Sequence, residues 1–132
     1  MKTLGIDVGE KRIGLAVSDE MQMIARELGV LSVEDFGLKI KEIISDEGIE
    51  KIVVGRPRNL SGDLGPQAER VGEFVDKEIR LLGKVIIWED ETLTSKKAEE
   101  ELKNAGASLV EIKKRIDAVA ARIILESYLR SL

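Results

Sequence analysis

The chain contains no cysteine and no histidine. Those two absences exclude disulfides, Cys/His zinc sites, Cys–His nucleophilic pairs and Ser–His–Asp triads. Any chemistry must therefore come from carboxylates, hydroxyls, lysines or a bound ion. A metal here would be a hard one held by oxygens, such as Mg2+ or Mn2+. Aromatics make up only 3% of the residues, which leaves little for stacking on bases. No apolar run approaches the ~20 residues that cross a bilayer, so no membrane partner is expected. The first residues, MKTLGIDVG, open directly on a strand-like pattern with no signal-peptide core, and a cytoplasmic protein is expected.

What is present suits one ordinary domain over residues 1–132. Apolar residues make up 43% and charged residues 35%, enough to bury a core while covering the surface. The formal net charge is −4, which argues mildly against a general nucleic-acid binder but leaves room for a local basic patch.

The apolar pattern predicts β-β-β-α-β-α-β-α-α. Strands are expected over 2–8 and 11–18, joined by a tight turn, and within 23–31. Ser32 caps a helix over 33–47 that Gly48 ends. KIVVG (51–55) reads as a fully buried strand opening into RPRNLSGDLGP, a loop longer than the usual ~4–6 residues. Pro66 starts a helix running to about Leu82, and KVIIWED (84–90) reads as another buried strand. Thr94 or Ser95 caps a helix to about Asn104. Ser108 with Glu111 forms a capping box for a last helix ending near Arg130. Such an order suits an α/β fold with a mixed sheet and helices on both faces.

Three acids sit where an acid is awkward. Asp7 lies inside a strand, on a face otherwise lined by glycine and alanine. Glu91 follows the apolar strand VIIW, and Asp117 lies on a helix side shared with Ala120, Ala121 and Ile124. If the first and fifth strands are neighbours, their ends bring Asp7 and Glu91 together and the last helix lays Asp117 beside them. Three converging carboxylates repel unless a divalent cation neutralises them. One or two such ions, about 4 Å apart when paired, could activate water against a phosphodiester. Each acid has a structural alternative: Asp7 could accept bonds from the Gly9–Arg12 turn or pair with a basic side chain. Glu91 could belong to a solvated strand end, and Asp117 could pair with Lys113 or Arg122.

Four ordered motifs carry a family likeness: GIDVGEKRIGLAVSD, VVGRPRNLSGDLGPQAERV, DETLTS and IDAVAARIILESYL. On these the chain resembles the YqgF/RuvX family of pre-16S ribosomal RNA nucleases, Holliday junction resolvase-like proteins with an RNase H-like fold. The resemblance implies an RNase H-like five-stranded mixed sheet and a metal-dependent nuclease acting on structured nucleic acid, with precursor ribosomal RNA as substrate during 5′-end maturation. It places the catalytic and metal-binding acids at Asp7, Glu91 and Asp117. The family commonly has arginine where this chain has Thr92, which puts a phosphate contact there in doubt. Lys11, Arg12, Lys96, Lys97, Lys114 and Arg115 lie near these acids in sequence, Arg56 and Arg58 sit in the long loop, and together they are the candidate phosphate contacts.

Three rivals remain. A DNA four-way junction substrate would need a symmetric dimer, and nothing in the sequence decides between monomer and homodimer. A non-catalytic RNase H-like binding module has no need of three converging acids. DVGEKRIG also resembles the phosphate loop of actin-like ATPases, but those bind ATP between two large domains that 132 residues cannot supply.

Overall fold

The computed structural model describes residues 1–58, 65–91 and 93–132. Three strands come first: β1 (Lys2–Val8), β2 (Arg12–Ser18) and β3 (Ala25–Ser32). Helix α1 (Val33–Glu47), strand β4 (Ile49–Pro57) and helix α2 (Pro66–Phe74) follow. Strand β5 (Val85–Glu91) precedes the two last helices, α3 (Thr94–Asn104) and α4 (Leu109–Arg130). The sheet order is β3-β2-β1-β4-β5, antiparallel among β1, β2 and β3 and parallel through β1, β4 and β5.

This is the expected mixed five-stranded sheet, with one correction. β1 and β5 are not neighbours, because β4 lies between them. Consecutive parallel strands joined by a helix tend to lie side by side, so β5 docks on β4 and becomes an edge. The same placement leaves β5 half-buried rather than fully buried.

Alternation along the strands divides the core. Leu4, Ile6, Val8, Ile13, Leu15 and Val17 point to one face and pack with Phe36 and Ile40 of α1 and Val71 of α2. Phe36 is fully buried and meets Phe74 edge-on, ring centroids 5.0 Å apart. Burying one such side chain contributes about 1.5–3 kcal/mol. On the other face Ala16 and Val53 meet Ala121, Ile124 and Leu125 of α4, and α3 packs on the outer side of α4 through Ala98 and Leu102.

The helix ends follow their predicted chemistry at three places. The Ser32 hydroxyl accepts from the Asp35 N–H, and Gly48 closes α1 in the left-handed region at φ 67°. Ser108 and Glu111 cap α4 reciprocally. α3 differs: Leu93, in the left-handed region at φ 59°, precedes it, and Thr94 is its buried first residue rather than its cap. The helix predicted to Leu82 is α helical only to Phe74. It continues through a π turn (Val75–Ile79) and a 3₁₀ turn (Arg80–Leu82) before Gly83.

Candidate active site

Asp7 is the next-to-last residue of β1, 9% exposed, on the face that α4 covers. Its partner on β2 is Gly14. On the other side Ile6 pairs with Val54, which puts Gly55 of β4 next in line with Asp7. The acid is therefore flanked by glycine on both sides, and each glycine admits something. A Cβ on Gly14 would overlap the backbone carbonyl oxygen of Asp117, so α4 can lie against the sheet only where that side chain is missing. A Cβ on Gly55 would lie 2.6 Å from Glu91 Oε2 and from Ile124 Cδ1. Glu91, opposite Pro57 on β5, thus reaches back over bare β4 backbone toward Asp7.

The two carboxyl groups stand close enough for each to act on the other. Burial is the main cause that holds Asp7 well above the usual carboxylate range. The Glu91 carboxyl and the charge of Asp117 add to it. Burial also raises Glu91, against the opposing effect of Asp7.

Asp117 stands close enough for its charge to act on Asp7, but its carboxylate is engaged elsewhere. Arg12 Nε donates to Asp117 Oδ2 at 3.1 Å, in place of the expected alternatives Lys113 and Arg122. Among the described residues no three acidic side chains form a group arranged to hold a metal ion. The donor set of Asp7 and Glu91 nevertheless suits a hard divalent cation: two adjacent carboxylates, all-oxygen donors whose mutual repulsion a dication would relieve. The other acids of WEDE are occupied, Glu89 accepting from the Ser127 hydroxyl at 2.6 Å and Asp90 pairing with Arg58 at 3.0 Å.

The candidate phosphate contacts divide. Arg12 lies at the site. Lys11, Lys96, Lys97 and Lys114 are exposed. Arg58 is held by Asp90, and Arg115 by Glu27 at 3.2 Å. Arg56 stacks over Trp88, 4.4 Å from the ring centroid, so the one tryptophan already has a cation on its face. Position 92 and residues 59–64 of the long loop lie outside the described residues. The sequence reading missed the role of Gly55. Its one signal is a glycine closing the apolar run IVVG, where β-branched residues would otherwise be expected.

Known proteins place this geometry in context. A protein from Geobacillus kaustophilus named "Putative pre-16S rRNA nuclease" is 42% identical over 139 residues, covering 99% of both chains. One of the same name from Desulforudis audaxviator is also 42% identical, covering 99% of this chain and 95% of its own. Among solved structures, T. thermophilus RuvC in complex with a Holliday junction substrate superposes with a TM-score of 0.59. It is 19% identical, with 99% and 95% of the two chains covered, and so shares the fold. The family model described as "RuvX: Holliday junction resolvase" matches residues 1–131, and the chain belongs to that family.

Proposed function

We propose that this chain is a metal-dependent endonuclease that hydrolyses phosphodiester bonds in precursor 16S ribosomal RNA, in the cytoplasm, as one nuclease domain over residues 1–132. The observation that carries the reading is the meeting of Asp7 and Glu91 across Gly55, with Asp117 beside them. A binding scaffold has no use for a buried carboxylate pair, which disfavours folding at neutral pH. The names of the curated relatives support the choice of RNA.

Asp7 and Glu91 would hold Mg2+ or Mn2+, with Asp117 as third ligand. When bound, the ion supplies charge neutralisation at the scissile phosphate and lowers the pKa of the attacking water. Burial of Asp7 keeps bulk water from the carboxylates and strengthens their field. Arg12, Lys11 and the exposed lysines Lys96, Lys97 and Lys114 hold the backbone, while Arg56, Arg58 and Arg115 extend the basic rim.

The family description favours a second reading, cleavage of a DNA four-way junction. That reaction needs a symmetric homodimer making two cuts, whereas a monomer suffices for RNA. Incubating the protein with precursor 16S ribosomal RNA and with a four-way DNA junction, in Mg2+ or EDTA, separates the two. Mg2+-dependent cleavage of the RNA, lost in EDTA and in Asp7→Asn, is expected. Junction cleavage alone would favour the second reading, and cleavage retained by Asp7→Asn would overturn both.

A further inference from the structure

Arg12 is the first residue of β2, and its ion pair with Asp117 joins positions 105 apart in sequence. The two partners are unequally held. Asp117 is 18% exposed, with its backbone pressed against Gly14, whereas the Arg12 side chain is 46% exposed. The guanidinium is the more solvent-accessible partner of the two. Both arginines in the middle of α4 are held by other acids: Arg115 pairs with Glu27, and Arg122 pairs with Glu27, Glu101 and Glu126. Among the described residues, Arg12 is the one cation that pairs with any of the three acids.

This pair conflicts with a metal at the same place. The Asp117 oxygen that accepts from Arg12 cannot offer that lone pair to an ion, and the guanidinium charge repels a dication beside it. A nucleic-acid phosphate is an equally good partner for an arginine, since it presents oxygens to the same planar fork of donors. We infer that Arg12 is a substrate-gated counter-ion: it holds Asp117 while no nucleic acid is bound, and a backbone phosphate that takes Arg12 frees Asp117 for the divalent ion. Metal and nucleic acid then bind with positive coupling, each raising the affinity of the other by the same factor. The inference rests on the nuclease reading and deepens it, making Arg12 a positioning residue as well as a phosphate contact.

The test is Mn2+ binding, read from the electron paramagnetic resonance of the free ion. It is measured with and without an RNA hairpin whose own Mn2+ uptake is subtracted. Without RNA, Arg12→Gln is expected to bind Mn2+ about five- to tenfold more tightly than wild type, a coupling of ordinary size. RNA should tighten Mn2+ binding by wild type by a similar factor and have no such effect on Arg12→Gln. Lys113→Gln removes the same charge from an exposed position one helical turn before Asp117 and should keep the coupling, which separates a gate from general electrostatics. Equal Mn2+ affinity in wild type and Arg12→Gln, or coupling that survives in Arg12→Gln, would overturn the gate alone. Mn2+ binding unaffected by Asp7→Asn would overturn the metal site itself, and the gate with it.

Discussion

The two faces of the sheet are built from different residues for different ends. Toward α1 and α2, β1 and β2 present Leu4, Ile6, Val8, Ile13, Leu15 and Val17, a layer of large side chains at most 5% exposed. Toward α4 the same strands present Gly5, Asp7, Gly14 and Ala16, and β4 adds Gly55. One face fills space and the other removes it. Large residues stabilise by area buried. Small ones let backbone and carboxylates approach, at the expense of apolar area and with a like-charge cluster left to neutralise. On β1 and β2, the apolar packing therefore lies on the first face, and the proposed chemistry on the second.

Substitutions that act on one face and spare the other break this division most clearly. Asp7→Asn should lower cleavage of precursor ribosomal RNA by about a thousandfold, the upper scale for losing one catalytic interaction, in a single-turnover assay. Phe36→Ala, on the opposite face, should cost about 3–5 kcal/mol in a denaturant melt, the usual range for emptying an aromatic core site. The fraction of Phe36→Ala that stays folded should cleave at the wild-type rate. Gly55→Ala is the sharpest probe. Its Cβ would strike the Glu91 carboxylate and the end of Ile124, both side-chain termini, so the fold should survive while Glu91 is pushed from Asp7. Cleavage should fall by about a hundredfold, as displacements near 1 Å do, with a smaller loss of stability than Phe36→Ala shows.

The smallest effect runs in the opposite direction. The folded-state pKa of Asp7 is raised, chiefly by burial. Its contribution to stability is therefore full below the unfolded carboxylate pKa and is lost as pH rises through the folded value. Thermal melts in EDTA should show Asp7→Asn melting a few degrees above wild type near neutral pH, with the difference shrinking as pH falls toward 4. A variant that melts below wild type throughout would mean that Asp7 stabilises the fold as an anion.

Much of this was legible before any coordinates. An acid inside an apolar strand, another at a strand exit and a third among alanines on a helix are each locally costly, and the structure brings two into contact with the third alongside. Strands and helices followed from period and caps because Ser32, Gly48, Ser108 and Glu111 act within a few residues of themselves. What was not legible depends on distance along the chain. Placing β5 beyond β4 rather than beside β1 is a matter of topology, and Gly55 acquires its role only once Glu91 must pass over it. The Arg12–Asp117 pair spans nearly the whole sequence, and nothing near Asp117 announces it. The π turn at Val75–Ile79 has no sequence signal that we can identify.

Diffraction from crystals grown with Mn2+ and RNA, collected near the manganese absorption edge, tests the proposed centre most directly. An anomalous peak within ligating distance of both the Asp7 and the Glu91 carboxylates is predicted. A structure with ordered Mn2+ elsewhere, and no ion between the two acids, would contradict it.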